Sequence, residues 1–448
     1  MEGQPKQKLE SQEALSELTL QTELRESGEY AYAPSASHWY WNMVDGKPFS
    51  DTQKAELLLA QKDELPYLVS ALLERTCNLR CAHCIYQDEQ SSRKASEEGQ
   101  LAAVVEHIIR TMPQGPAEQR AKFMSAGRIL RPWHLDIFKK LRESRPDVQL
   151  GVIDNGTYTK LLRTWPEGLQ LDWLDISVDG TEANHDKQRG ESSYAAAMEG
   201  LRHAREITRS REEGGYVASL LTLTNINAGD VLQVANTLLN EKAGEPLADK
   251  LNLTTMGPTN AINARLEISQ LDFAQAWDGL KEACAKYNTP GNERVSLGLY
   301  RVEDVEKLAA VVGEGKFLES FPADEDKARE RVTFRGNFVE THVDGVPVSY
   351  LPISIWPPEE FLIDADGAYR LAYEGQFTLE ELRAGSQESW DGHSARDYTV
   401  TQLTPETDFR AVYEQAVDIY WQRFGHAKLD QEFAAFARIR EKARQEGR

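Results

Sequence analysis

The sequence predicts an α/β chain: a barrel built from repeated strand–helix units, followed by a small α+β extension. Three observations predict it. Strand-like apolar runs alternate with helical periodicity from about residue 65 to residue 290, as a βα-repeat barrel requires. Past residue 290 that pattern fades, which marks off a different kind of segment. Hydrophobic residues make up 40% of the chain and charged residues 27%, enough apolar side chain for a sizeable core.

In chain order, 68–74 is an apolar run entering a cysteine-rich loop and 95–112 is helical in period. Residues 121–125 read as a strand, 133–143 as a helix, 148–154 and 171–178 as strands, and 194–209 as a helix. A strand at 216–224, a helix at 231–239, a strand at 250–256 and a helix at 271–287 follow, so six strands are expected in all. Before the barrel, 1–64 begins with about thirty polar residues, read as an arm or a lone helix. The aromatic run Ser37-His38-Trp39-Tyr40-Trp41-Asn42-Met43 is expected to pack onto the barrel. The expected divisions are therefore 1–64, 65–300 and 301–448. Within the last, a hairpin is expected around 355–370, capping the barrel mouth. Helices follow from Pro405, ending in the basic Lys442, Arg444 and Arg448 as a solvated face.

Length and charge narrow the function. At roughly 150 residues per domain, 448 residues suggest two or three domains. Asp and Glu number 72 against 51 Lys and Arg, a net charge of −21 that repels phosphate backbones and argues against nucleic acid. No apolar run approaches the roughly 18 residues that span a bilayer, and Met1-Glu2-Gly3-Gln4-Pro5-Lys6 lacks the apolar core of a signal peptide. Four cysteines in so long a chain are no disulfide scaffold. The expectation is a soluble protein of the reducing cytoplasm.

Three of those cysteines fall within Cys77-Asn78-Leu79-Arg80-Cys81-Ala82-His83-Cys84. A C-x3-C-x2-C loop can turn three thiolates toward one centre, and thiolates select zinc, copper(I) or iron–sulfur clusters. Structural zinc wants four ligands, and His83 is badly placed as the fourth beside Cys84. A [4Fe–4S] cluster bound by three cysteines leaves one iron open for chemistry. Zinc with a distant fourth ligand, or cysteines clustered by chance, are the alternatives. Cys284 lies in an amphipathic helical stretch and reads as a small core residue.

The triplet, preceded by the apolar run from Leu68 to Leu73, resembles the signature of the radical S-adenosylmethionine (radical SAM) superfamily. That resemblance implies a partial (βα)6 TIM-type barrel, one [4Fe–4S] cluster on Cys77, Cys81 and Cys84, and S-adenosylmethionine chelated to the fourth iron. An external one-electron donor of flavodoxin or ferredoxin type would reduce the cluster. Reductive cleavage would then release a 5′-deoxyadenosyl radical that takes hydrogen from substrate. His83 stands where the family usually has an aromatic residue near the adenine. Phe123-Met124-Ser125-Ala126-Gly127-Arg128 occupies the place of the family's Gly-Gly-Glu-Pro segment, which holds the methionine amino group. The glutamate is missing, which leaves Ser125, Gly127 and Arg128 as the residues there. Asp154-Asn155-Gly156 is similar to a Thr-Asn-Gly turn near the cofactor, and Asn155 is the candidate. In Asp175-Ile176-Ser177-Val178-Asp179-Gly180, followed by His185-Asp186 and Arg189, the resemblance gives Ser177 and Arg189 to the cofactor carboxylate. The 355–370 segment is similar to the opening of cysteine-rich extensions that hold auxiliary clusters. Here it contains no cysteine, so one cluster is expected.

Within the superfamily the organisation looks most like sugar- and aminoglycoside-tailoring dehydratases or lyases, enzymes of antibiotic biosynthesis. The substrate expected is a small molecule, favouring a cationic aminosugar or a polyol, and the reaction dehydration or elimination. Such chemistry needs an acid and a base. Asp179 and Tyr216 are the candidates, with Glu319 and Glu340 as possible partners for ammonium groups. A peptide maturase or epimerase is the alternative within the superfamily, and a non-catalytic zinc or iron–sulfur protein the alternative outside it. Neither nucleic acid nor membrane is an expected partner.

Overall fold

The structure, a computed structural model, describes residues 34–63, 68–71, 73, 77–84, 98–112, 122–125, 130–209, 215–240, 245–256, 263–335, 337–355, 360–363, 367–370 and 399–447. Seven strands lie side by side in chain order, all parallel: β1 (Leu68–Ala71), β2 (Lys122–Ser125), β3 (Gln149–Asp154), β4 (Trp173–Ser177), β5 (Tyr216–Leu223), β6 (Lys250–Thr255) and β7 (Val295–Leu299). Two helices precede them, α1 (Pro34–Asp45) and α2 (Asp51–Asp63). The crossovers carry α3 (Glu98–Thr111), α4 (Pro132–Ser144), α5 (Thr159–Arg163), α6 (Glu182–Arg189), α7 (Ser193–Arg209), α8 (Val231–Leu238) and α9 (Gln270–Tyr287). This is the α/β partial barrel the sequence predicts. The six expected strands are β1 to β6, and β7 continues the series just beyond residue 290.

Strand parity explains how the barrel is lined. Residues in register on parallel strands share a face. Leu174, Ile176, Val217, Leu221, Leu251, Leu253 and Leu297 are buried in one core with Ala197, Leu201 and Ala204 of α7. The opposite face carries Asp175, Ser177, Lys250 and Asn252, brought together by the registers Asp175↔Ala218↔Lys250 and Ser177↔Leu220↔Asn252. That inner face is mostly polar. Gly151 has a packing reason: a Cβ there would sit 1.8 Å from the Trp173 indole, so only glycine lets the ring cross β3.

The later segment joins both edges of the same sheet. Beyond β7, β10 (Val346–Tyr350) pairs parallel with it, and β9 (Phe338–Val343) and β8 (Thr333–Arg335) follow antiparallel. On the other edge β11 (Glu360–Ile363) pairs parallel with β1, then β12 (Ala368–Arg370) and β13 (Thr399–Gln402) run antiparallel. The expected hairpin exists as β11–β12, but it does not cap the mouth. It extends the sheet, because the short β1 would otherwise be an unpaired edge. The two ends, β13 and β8, are not paired with each other among the described residues, so the barrel is open.

Helices α10 (Val302–Val312), α11 (Glu314–Glu319), α12 (Glu325–Arg331), α13 (Phe409–Tyr420) and α14 (His426–Glu446) complete the chain. The aromatic run lies on α1, with Trp39, Tyr40 and Met43 fully buried. Its anchor is the far end of the chain: Trp39 Nε1 donates to Glu432 Oε2 on α14 (2.8 Å), and the Trp39 ring meets Tyr350 and Phe436. Cys284 sits inside α9, buried, its thiol facing the Val295 carbonyl (3.6 Å), the core role expected of it. Of the basic tail, Lys442 and Arg444 are exposed as expected, and Lys442 reaches Glu314 (3.7 Å), while Arg448 lies outside the described residues. Among the described residues no helix is long and apolar enough to cross a membrane.

Candidate active site at the carboxyl ends of the strands

The loop after β1 brings the three cysteines round in a tight turn, closed by the Cys84 N–H bonding to the Cys81 carbonyl (3.1 Å). Cys81 is buried, while Cys77 and Cys84 are half-buried. Two donors reach the Cys77 sulfur: the Leu79 N–H (3.4 Å) and Asn155 Nδ2 (3.6 Å). Asn155 stands in the turn after β3, where it also donates to Asn78 Oδ1 (3.0 Å). Gly156, at φ +71°, closes that turn with its N–H on Asp154 Oδ1 (2.7 Å). Burial pushes the Asp154 carboxyl up to about 6, against the N–H bonds it accepts from Gly156 and Leu130. Asn155, which the resemblance gave to the cofactor, is therefore tied by hydrogen bonds to the cysteine loop.

The end of β4 supplies the second half. Asp179 is fully buried; its Oδ1 accepts the Thr222 N–H (2.8 Å) and its Oδ2 pairs with Arg189 Nε. Burial favours the protonated acid, but the charge of Arg189 holds the carboxyl below its ordinary range. Arg189 Nη2 lies 3.5 Å from His83 Nε2, and His83 Nε2 lies 3.4 Å from Asp179 Oδ2. Burial lowers the His83 pKa to about 4, so the ring is neutral at physiological pH. Whichever tautomer it takes, its Nδ1 is buried without a hydrogen-bond partner. Burial also pushes the Cys81 thiol up to about 12, partly offset by the Arg189 cation nearby.

Local chemistry explains why these groups are fixed. Gly180, at φ +137°, has no room for a Cβ, which would lie 2.8 Å from Asp230 Oδ2. That same oxygen accepts from Thr181 N–H, Thr181 Oγ1 and Asn184 Nδ2, each at 2.8 Å, and so fastens the start of α6. At the far end of α6, Asp186 accepts the N–H groups of Ser192 (2.9 Å) and Tyr194 (2.8 Å) and so caps α7. Between them the Gln188 carbonyl takes the Ala82 N–H (2.8 Å), which ties α6 to the cysteine loop.

Of the residues singled out in the sequence, the structure gathers Cys77, Cys81, Cys84, His83, Asn155, Asp179 and Arg189. Ser125 and Ser177 end β2 and β4, both buried, but on opposite faces. Ser177 lies on the inner face with Asp175, whereas Ser125 is in register with Val152 and Leu174 of the outer core, so the structure does not bring it into the interior. Gly127 and Arg128 lie outside the described residues. Tyr216 does not belong: it is the first residue of β5, paired with Trp173 at the start of β4, so it sits at the amino ends. Asp179 follows the carboxyl end, roughly 20 Å away along a strand rising ~3.3 Å per residue. Glu319 is exposed at the end of α11. Glu340 faces the barrel interior through the registers Glu340↔Ser349↔Gly298, with Arg335 at 3.5 Å. Two interior residues escaped the sequence reading, Asp175 and Lys250. The spacing Trp173, Asp175, Ser177 is the signal that could have found Asp175, since alternate residues share a face.

The donor set fits the group that the resemblance implies. Three cysteines converge on one loop with two N–H donors on a sulfur, a cation beside them, and an orphaned buried imidazole nitrogen facing out of the cluster of ion pairs. Among the described residues no group of three His, Cys, Asp or Glu side chains stands ready to hold a metal ion.

No protein-family model matches the chain, and no curated protein is similar to it in sequence. Solved structures are similar in fold. SuiB of Streptococcus suis bound to precursor peptide SuiA superposes with a TM-score of 0.50 at 8% identity, over 84% of this chain and 74% of that one. The same enzyme bound to S-adenosylmethionine gives 0.44 at 9% identity, over 72% of this chain and 66% of that one, just under two thirds of its length. The enzyme anSMEcpe with bound AdoMet and Cp18Cys peptide gives 0.42 at 13% identity, over 84% of this chain and 98% of that one. These neighbours are radical SAM enzymes, and what the chain shares with them is the open parallel barrel.

Proposed function

We propose that this chain is a radical SAM enzyme whose Cys77, Cys81 and Cys84 hold one [4Fe–4S] cluster and whose strand ends bind S-adenosylmethionine. The supporting observation is the meeting, at the carboxyl ends of β1, β3 and β4, of the cysteine loop with Asn155, His83, Asp179 and Arg189. Function in such barrels collects at that end. When bound, the cluster and S-adenosylmethionine would supply one-electron cleavage to a carbon radical. The chain's own residues do the positioning. Asn155 and the Leu79 N–H stabilise charge on the Cys77 sulfur, and hydrogen bonds to sulfur tune a cluster's potential. Asp179 holds the Arg189 guanidinium beside Cys81, where a cation offsets the charge of thiolate ligands. In this reading Ser177 and Arg189 orient the cofactor carboxylate, and the orphaned His83 Nδ1 receives a polar cofactor atom.

For the reaction we favour dehydration or elimination on a small polar substrate, an aminosugar or polyol, with electrons from a flavodoxin- or ferredoxin-type donor. The polar interior of the barrel is the observation behind it. A peptide substrate is the second reading, favoured by the likeness to SuiB bound to its precursor peptide. Anaerobic reconstitution tests the assignment. Expected are about four irons and four sulfides per chain and dithionite-dependent release of 5′-deoxyadenosine, with Cys77→Ala, Cys81→Ala or Cys84→Ala abolishing both. A protein that stays iron-free, or that binds a single zinc, sinks it. Product analysis with aminosugars and with peptides then separates the two substrates.

A further inference from the structure

The interior of the barrel below the cysteine loop holds a carboxylate with one oxygen that finds no hydrogen-bond partner among the described residues. Asp175 is only 8% exposed, and its Oδ1 is buried without a hydrogen-bond partner. It points inward: in parallel register it shares a face with Ala218 and Lys250, whereas its neighbours Leu174 and Ile176 lie in the outer core. One step toward the strand ends on that face is Ser177, ~7 Å along β4. A lone carboxylate oxygen withheld from water and left unpaired is costly, and native proteins rarely carry one without a use.

The surroundings limit what completes it. Lys250 is the nearest cation that acts on Asp175, yet its ammonium is turned over the Tyr216 ring, 5.2 Å from the centroid. Glu340 enters the same interior from β9, held by Arg335 at 3.5 Å and within electrostatic reach of Lys250 and Lys122. Burial pushes the Asp175 carboxyl up to about 7, against the pull of Lys250, so an approaching cation would restore its charge near neutral pH. A buried carboxylate with no fixed cation is best completed by a charged donor, which gains both the ion pair and the missing hydrogen bond.

We infer that Asp175 is a substrate-binding residue, and that it receives a protonated amine of the substrate inside the barrel. This rests on the reading that the strand ends hold the cofactor, because the amine would then lie beneath the reacting centre. It makes the substrate class an amine-bearing molecule, whether aminosugar or lysine-type peptide, and sets aside uncharged polyols.

Binding of small probes tests this without knowing the substrate. Ethylenediamine, glucosamine and lysine amide would be compared with ethylene glycol, glucose and norleucine amide by ligand-detected NMR on the full chain at pH 7.5. At least one amine should bind and its uncharged counterpart should not. Asp175→Asn should weaken amine binding tenfold or more, and Asp175→Glu, which keeps the charge, should retain most of it. Glu282→Gln, on the exposed side of α9, should bind as wild type does. A thermal melt establishes that each variant is folded. If no amine binds, if amines and uncharged partners bind alike, or if Asp175→Asn binds amines normally, the inference is wrong. The measurement does not need the cluster, so an iron-free protein that still binds amines through Asp175 would overturn the proposed function and leave this site standing.

Discussion

At the scale of single residues, the interior carboxylates behave differently because their partners differ. Asp179 and Asp175 lie four residues apart, and both are nearly inaccessible. Asp179 has Arg189 against it and stays ionised, whereas Asp175 has no such partner and burial dominates. The sign of the consequence follows from linkage. Asp175 has a folded-state pKa raised from 3.8 to about 7, so the folded chain holds that proton more tightly than the unfolded one. Its ionisation therefore costs stability progressively between about pH 4 and pH 7, and the full cost applies above pH 7. Asp175→Asn should accordingly raise the melting stability at pH 8 by about 1–3 kcal/mol, with the gain shrinking toward pH 5. Melts across that range check it, and a variant less stable than wild type at pH 8 would show that the carboxylate is satisfied in the fold. A stabilising substitution that removes ligand binding is the mark of a binding site rather than a structural one. Glu432 presents the contrasting arrangement: it is buried but accepts from Trp39, Tyr350 and Ser354. Its replacement by Gln should lower stability by about 1–3 kcal/mol, since an amide cannot accept from all these donors. A denaturant midpoint unchanged in Glu432→Gln would contradict that account.

Among the elements, α6 does the most to assemble the site. It is two turns long, Glu182-Ala183-Asn184-His185-Asp186-Lys187-Gln188-Arg189, too short to be stable on its own despite good helix formers. Its position comes from outside: Asp230 fastens its start, His185 Nδ1 accepts the Asp179 N–H (3.0 Å), and Asp186 passes the chain on to α7. Gly180 is the pivot. Gly180→Ala would force a Cβ to within 2.8 Å of Asp230 Oδ2 in a backbone region that alanine avoids. The expected cost is about 1–3 kcal/mol, and because α6 carries Arg189, S-adenosylmethionine binding should weaken as well. Differential scanning calorimetry and equilibrium binding on the reconstituted enzyme measure the two effects. An alanine variant that matched wild type in both would mean that α6 finds its place without the turn.

Over the whole molecule, chain ends and sheet edges are closed by sequence-distant partners. Tyr413 Oη donates to the Gln61 carbonyl (2.8 Å), and Gln61 also meets Trp421, so α2 and α13 lock together across the chain. Among the described residues the sheet runs from β13 to β8 without those two strands pairing.

How much of this was legible in the sequence varies by residue. The spacing of Cys77, Cys81 and Cys84 marked the loop proposed to hold the cluster, because three soft ligands in eight residues have few other uses. The alternation of runs declared strands β1 to β6. The motif around Ser177 and Arg189 drew attention to the carboxyl end of β4, but the Asp179 partner of Arg189 could not be read. An ion pair across ten residues depends on how α6 folds back. Tyr216 was misplaced although its position was legible: a strand read at 216–224 of a βα-repeat barrel puts Tyr216 at the amino end, away from the cysteine loop. Asp175 was hidden because barrel strands are covered on one side by helices and bounded on the other by the interior, so an apolar-rich run conceals its parity. The cysteine spacing and the succession of β1 to β6 were thus settled by local chemistry, which sequence records directly. Which polar groups share a chamber, and which of them lack a partner, was decided only by packing, because satisfaction of a buried charge is a property of everything around it.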